Sequence, residues 1–477
     1  MAGAPTDIFG STISCECGRT HDIQPREVIY AADAMMRLPA ACESCTDGRR
    51  LAVLMDKRTQ AVAGADAAQE LSRAGWKVQE VVVPDPPNGS GAMASRRSRA
   101  HAPRRLGQAR TGEPSCAPRR AAVWPGPTFH PACDDRTRES LDARIGQPDL
   151  IVSVGSGVIN DLGKWLAYDA HLPFVTFATA ASMNGYTSAN VAPSVRGVKT
   201  LIRARPPLAV LADPRIIAGA PYEMTAAGLG DVLAKSVSSA DWYLNHLLFG
   251  DYYCARSVGL IARIEPLYLE HPEDLRDRKP QAVEALFQAL LLTGAAMTMA
   301  ESSAPSSGGE HMLSHALDMM SFADGAAHDL HGRQVGVGTI LASELYRRLL
   351  EIRHPGFRDP PAVDRDFWGP LADPVADEFA RKLDRYRQAA ERLSGPRAWD
   401  DLRNALTPML RPPEVIRDCL ERAGAAFKAE HIGCDRKRLL DAFRHAHQIR
   451  SRFTVLDLAW LVGLMPGAAD AIVAQWA

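Results

Sequence analysis

The chain has 477 residues, which is long for one hydrophobic core and points to two domains. Hydrophobic residues make up 46% and charged residues 23%, as in a globular protein, and Lys+Arg 55 against Asp+Glu 56 leaves almost no net charge. That balance gives no global electrostatic case for a nucleic-acid or membrane partner. No run of eighteen apolar residues occurs, and the N-terminus lacks a basic segment followed by an apolar core. A cytoplasmic location is therefore expected.

The nine cysteines are odd in number and spread out, which argues against a disulfide framework. Cys15, Cys17, Cys42 and Cys45, with His21 nearby, are a conceivable structural zinc set, although C-x-C is not the spacing of the common zinc folds. Free thiols are the plainer reading. Residues 18–50 read as an extended lead-in and a short helix. LAVLMD (51–56) reads as a buried strand, residues 61–74 as a helix closed by Gly75, and VQEVVVPD (78–85) as a second strand. Together they make a parallel βαβ unit. Asp56 ends the first strand, where an acid can take ribose hydroxyls and favour NAD over NADP; an ordinary turn aspartate is an equal reading.

Residues 86–130 break the pattern, with eight arginines between 96 and 120 and few aliphatics. Such a segment cannot bury a core. A lineage-specific insertion or a shifted reading frame in a GC-rich gene explains it better than a basic binding arm. Order returns with a helix over 133–149, a strand over 150–154, the turn Gly155-Ser156-Gly157 and the helix it opens. A glycine turn at a helix start offers free N–H groups and the positive dipole end to a pyrophosphate. Alone it is a weak signal, since it is not G-x-G-x-x-G. The strand at 173–180 leads into a polar loop of Ser182, Asn184, Gly185, Thr187 and Ser188, where α/β sheets place ligands. LAVLAD (208–213) is the last clear strand; helices follow to the C-terminus, 222–248 reading as the first long one. The division falls at 1–213, a parallel-sheet domain, and 214–477, an all-helical domain, with a ligand cleft between them.

His311 and His315 share a helix face, and His331 follows in a His-Gly pair. Three histidines suit a divalent metal that still needs a carboxylate, and Asp231, at the start of the helical half, supplies one. An unfilled set of this kind leaves open positions for Lewis-acid chemistry.

GSGVINDLGKW, ATAASMNGYTS, AAGLGDVLAKS, GGEHMLSH and HGRQVGVGT, in this order, resemble the sn-glycerol-1-phosphate dehydrogenase family. That family sits within the superfamily of iron-containing alcohol dehydrogenases, polyol dehydrogenases and dehydroquinate synthases. The likeness runs from about Cys133 to AHQIRSRFTVLDLAWLVGL near the C-terminus and includes the early βαβ unit; the arginine-rich segment departs from it. The resemblance implies a Rossmann-like parallel α/β domain followed by an all-α domain, dehydroquinate synthase-like. It implies NAD or NADP held by Gly157, Val158, Ile159, Asn160 and Asp161, with Thr179, Ala180, Ala181 and Ser182 beside the nicotinamide and Ser188 also on the dinucleotide. It further implies one divalent metal (Zn, Ni or Fe) on Asp231, His311 and His331, with His315 facing substrate. Glu310 and Asp318 stay unassigned, and His328 is expected to face solvent.

The implied substrate is small and phosphorylated, interconverting between dihydroxyacetone phosphate and sn-glycerol 1-phosphate, in a homo-oligomer. Asn184 stands where many members carry a substrate-contacting Asp, and it cannot bear negative charge. Lys199 is the first choice for the substrate phosphate, ahead of Lys164 and Lys235. The alternatives are a related polyol dehydrogenase, a sugar-phosphate cyclase of the same architecture, and an inactive binding homologue.

Overall fold

The computed structural model describes residues 5–85, 131–260 and 264–477; the arginine-rich stretch at 86–130 lies outside them. Six parallel strands form the main sheet: β3 (Glu27–Tyr30), β4 (Arg50–Asp56), β5 (Lys77–Val83), β6 (Leu150–Gly155), β7 (Phe174–Ala178) and β8 (Ala209–Ala212). They lie in the order β3-β8-β7-β6-β4-β5. A small antiparallel hairpin, β1 (Thr12–Ser14) and β2 (Thr20–Asp22), precedes them.

Burial on both faces explains the nearly unbroken apolar strands. Leu51, Val53 and Met55 point to one face, against α1 (Ala34–Glu43) and α2 (Ala65–Arg73). Ala52 and Leu54 point to the other, against α3 (Asp135–Asp142) and α4 (Gly157–Asp169). β5 and β6 flank β4 on opposite sides. The strand order therefore reverses at β4 and β6, and their carboxyl ends, Asp56 and Gly155, border the crevice where such sheets bind ligands.

Three local expectations are corrected. β3 and the two-residue ladders Val195–Val198 and Val191–Ile202 were not expected, being too short for a periodic signal. The helix expected over 133–149 closes at Asp142. The helix expected over 222–248 is two, α5 (Tyr222–Leu233) and α6 (Lys235–Phe249), jointed at Ala234.

After Ala212 every regular element among the described residues is helical. The central one is α7 (Pro280–Ala300). It alone among the described helices is long and apolar enough to cross a membrane, but 83% of its apolar window is buried inside the fold. Tyr186, Val210 and Ala212 from the sheet half join the helical core, so the two halves share one apolar body.

The early cysteines do not converge as four. Cys42 is buried in α1 under the sheet and Cys45 hydrogen-bonds the Ala41 carbonyl, while Cys15 and Cys17 sit in the hairpin. A zinc set of Cys15, Cys17, Cys42 and Cys45 is thus excluded by the separation of α1 from the hairpin turn.

Candidate metal and dinucleotide site

The helical part of the site is set by backbone contact. A Cβ placed on Gly230 of α5 would lie 2.0 Å from the Gly332 carbonyl oxygen, and one on Gly332 would lie 2.0 Å from that of Ala227. Gly332 opens α9 (His331–Glu351), so α5 and α9 touch main chain to main chain. This brings Asp231 and His331 together. His311 comes from α8 (Gly309–Asp324), which packs beside α9.

The donor atoms of Asp231, His311 and His331 all lie within 4.8 Å of one another, in a group that does not include His315. Asp231 Oδ1 sits 3.4 Å from His311 Nε2 and has no hydrogen-bond partner, although it is buried. Its other oxygen accepts the Asn184 amide at 3.0 Å. The far nitrogen of each histidine is engaged. His311 Nδ1 lies 2.7 Å from Glu310 Oε1, and His331 Nδ1 lies 2.9 Å from Ser314 Oγ, whose proton goes to Gln334 Oε1 at 2.8 Å. Partners on Nδ1 fix the tautomer that leaves Nε2 a lone pair, as metal-binding imidazoles require. The donor set and the orphaned buried carboxylate oxygen fit a divalent ion.

His315 lies on the same helix face, its ring 5.4 Å from that of His331, and its Nδ1 is buried without a partner. Burial, then the charge of Arg450, hold its pKa well below the usual histidine value, so it is neutral at pH 7. Burial and the charge of His311 push His331 down to about 4. His311 is raised to about 9: burial works the other way but is outweighed by the nearby carboxylates of Asp231 and Glu310.

On the sheet side, Ser156 precedes α4 and its hydroxyl contacts that of Ser182. A Cβ on Gly157 would meet open space, which leaves the α4 N-terminus uncovered. Asn160 is buried and accepts from Thr176 at 2.9 Å, while Asp161 accepts the Ala192 amide at 3.3 Å. Thr179 has a buried hydroxyl with no partner. An uncovered glycine turn and an orphaned hydroxyl fit a dinucleotide. Ile159, Ala180 and Ala181 are buried, and Val158 packs on the α4 side of the sheet. The crevice at β4 differs from the expectation. The Asp56 carboxylate caps the following helical turn, accepting from the amides of Arg58 and Thr59 at 2.9 and 2.8 Å, and pairs with Arg58. A strand-end acid is also a helix cap, and here capping occupies the group expected to hold ribose.

One cleft of about 620 Å³ joins the two sides, lined by Asp161, Asn184, Ser188, Asp231, His311, His315 and His331. None of the three lysines expected near phosphate lines the cleft, and two of them are engaged elsewhere. Lys164 is buried and clamps the polar loop, donating to Gly185 O at 2.5 Å and to Ser188 Oγ and Asn190 O at 3.2 Å. Lys199 pairs with Asp318 at 3.2 Å. His328 joins the same aspartate at 3.2 Å and so is not simply solvent-facing. Lys235 is buried and outside the cleft lining. The cleft cations are Arg385, Arg450 and Arg452. Arg385 pairs with Asp251. Arg452 donates to the Ser307 carbonyl and to Ser303 Oγ. Arg450 has no ion pair among the described residues, its Nε is a buried orphan, and burial lowers its pKa to about 10. Two of these arginines, Arg450 and Arg452, lie in the IRSRF stretch near the C-terminus, where no local pattern marks them as ligands.

The iron-containing alcohol dehydrogenase family model matches residues 121–221. Glycerol-1-phosphate dehydrogenase (NAD(P)+) of Geobacillus stearothermophilus is 33% identical over 310 residues, 65% of this chain and 70% of that protein. The chain belongs to the glycerol-1-phosphate dehydrogenase family. The family member of Bacillus subtilis (strain 168) is 27% identical over 413 residues, 86% of this chain and 85% of its own length. Among solved structures, a probable glycerol dehydrogenase from Sinorhizobium meliloti 1021 superposes with TM-score 0.56 at 17% identity, covering 95% of this chain and 99% of that one. That likeness shows the dehydroquinate synthase-like fold that the family shares.

Proposed function

We propose that this protein is a metal-dependent, NAD(P)-linked oxidoreductase that interconverts dihydroxyacetone phosphate and sn-glycerol 1-phosphate. The carrying observation is the cleft in which the Asp231, His311 and His331 donors face the same space as Asp161 of α4 and the loop residues Asn184 and Ser188. Asp231, His311 and His331 are assigned the metal. The turn Gly155–Gly157, residues 158–161, Thr179 to Ser182 and Ser188 are assigned the dinucleotide; Asp56 is not. When bound, the ion polarises the substrate oxygen and the dinucleotide exchanges hydride with the adjacent carbon.

The chain's own residues do the rest. Glu310 and Ser314 hold the two imidazoles in one tautomer and one orientation. Neutral His315 takes the substrate hydroxyl proton in the oxidation direction and returns it in reduction. Asn184, on the cleft wall and anchored through its backbone N–H to Asp231, is placed to hydrogen-bond a substrate hydroxyl with its side chain. Arg450 is assigned the phosphate: neither it nor Arg452 has an ion pair among the described residues, but Arg452 is held by the Ser307 carbonyl and Ser303, whereas Arg450 Nε is a buried orphan and its charge is felt at His315. Lys199 is spent on Asp318 and takes a supporting part at most.

The test is steady-state oxidation of NADH and NADPH with dihydroxyacetone phosphate, in parallel with unphosphorylated dihydroxyacetone and several added metals. Arg450→Gln is expected to raise KM for the phosphorylated substrate about 10- to 100-fold, the value of a charge-assisted hydrogen bond. It should leave dihydroxyacetone nearly unchanged. Equal effects on both substrates would remove Arg450 from the phosphate. No turnover of the phosphorylated ketone with any metal would overturn the reading. The homo-oligomer is part of the same proposal and is read by light scattering.

A further inference from the structure

A second group of ligating side chains lies outside the cleft chemistry. Cys15 and Cys17 stand in the turn of the N-terminal hairpin, His21 on its second strand, and Cys254 immediately before the helix Ala255–Gly259. Their four donor atoms all lie within 4.8 Å of one another. Cys15 Sγ is 3.6 Å from Cys254 Sγ, Cys17 Sγ is 3.3 Å from His21 Nε2, and Cys254 Sγ is 3.8 Å from the same nitrogen. A tetrahedron around zinc, with Zn–S of about 2.3 Å and Zn–N of about 2.0 Å, has S–S edges of about 3.8 Å and S–N edges of about 3.5 Å. The observed edges match both.

We infer that Cys15, Cys17, His21 and Cys254 bind one structural zinc ion, distinct from the metal of the cleft. Three thiols and one imidazole fill all four positions of a tetrahedron, the closed composition of structural zinc sites. Binding forms three Zn–S bonds and one Zn–N bond, and the three thiol protons pass to solvent. The surroundings fit a largely buried site: His21 is 4% and Cys254 0% exposed, and Cys254 packs in an apolar cluster with Trp242 against which the half-buried Cys15 and Cys17 also lie. The hairpin also needs a fastening. It has two strands of three residues, and an isolated two-stranded hairpin is marginal in water. The ion would join it to a segment 239 residues away. That segment also serves the cleft, since Tyr252, whose hydroxyl is 3.1 Å from Cys17 Sγ, is part of the cleft wall.

The experiment uses the full chain purified without chelator. Metal content is measured for the wild type, for His331→Ala and for Cys17→Ser, and cobalt is incorporated in place of zinc in each. Wild type and His331→Ala are expected to keep one zinc that a thiol-specific mercurial releases. Both should show a thiolate-to-cobalt charge-transfer band, and Cys17→Ser should lose the band. A wild-type chain whose only metal disappears in His331→Ala, with no thiolate band, overturns the inference. A native Cys15–Cys254 disulfide found by mass spectrometry also overturns it. Should Cys17→Ser fail to fold, the mercurial titration of wild type and His331→Ala decides alone.

Discussion

Two clusters of ligating side chains divide the chemistry of this chain. In the cleft, Asp231, His311 and His331 come from three helices and offer one oxygen and two nitrogens. At the hairpin, Cys15, Cys17, His21 and Cys254 offer three sulfurs and one nitrogen. The first has three protein donors, sits in an open cleft and carries a hydrogen-bond partner behind each imidazole. The second has four donors, and its three thiols lie in or against an apolar cluster. Three donors leave a coordination position for substrate, whereas four sulfur-rich donors leave none. A site that must exchange ligands is supported from outside, through helices and buried carboxylates. A site that must only hold is complete in its own donors.

The comparison can be broken most decisively at His331. His331→Ala is expected to abolish both turnover and metal retention in the cleft, with the hairpin metal unaffected, as read by metal analysis beside the activity assay. His315→Ala should separate the two readouts. The metal stays, while kcat falls about 100-fold or more, the usual worth of a positioned proton-transfer group. If His315→Ala strips the cleft metal as completely as His331→Ala, the division of roles among the three histidines is wrong.

Ser314→Ala probes the support. It removes the partner of His331 Nδ1 and should weaken metal affinity about 10-fold, measured by competition with a chelating dye, with little change in kcat at saturating metal.

The smallest effect concerns Asp241 beneath the α8 N-terminus. It accepts the amides of Gly309 and Val455 at 2.7 Å and the Tyr346 hydroxyl at 2.5 Å. Burial, then the charge of Glu310, raise its pKa from 3.8 to about 8. A carboxyl whose folded pKa is raised favours the folded state while protonated. Its contribution is complete below pH 4 and is lost as pH climbs towards 8. Asp241→Asn should therefore show a Tm that declines less between pH 5 and 8 than the wild type, by differential scanning fluorimetry. Parallel curves would mean that Asp241 is ionised throughout.

How much of this was legible in the sequence follows the range of each signal. The strands at 51–56, 150–154 and 208–213 could be read because burial on both faces writes an apolar run into adjacent residues. β3 could not, since its four residues carry no period and its place is set by pairing with β8. The metal cluster was accessible because His311 and His331 are near in sequence, although Asp231 needed the argument that a carboxylate was missing. Arg450 was not accessible: nothing local marks a loop arginine, and its meaning comes from its place in the cleft wall and the lack of an ion-pair partner among the described residues. Cys254 was hidden for the same reason, far along the chain from its sulfur neighbours. Asp56 admits two readings because a strand-end acid and a helix cap occupy the same place in the sequence, and in the structure it caps the following turn.

The contact of α5 with α9 through Gly230 and Gly332 has a consequence for the ion itself. Main chain resting on main chain cannot be compressed, and it cannot relax as a packed side chain does by changing rotamer. The gap between Asp231 and His331 is therefore a fixed gauge. Ions compete for it by radius and preferred angle rather than by reshaping it, and a methyl group at either glycine would spread the gauge and change which ion it admits.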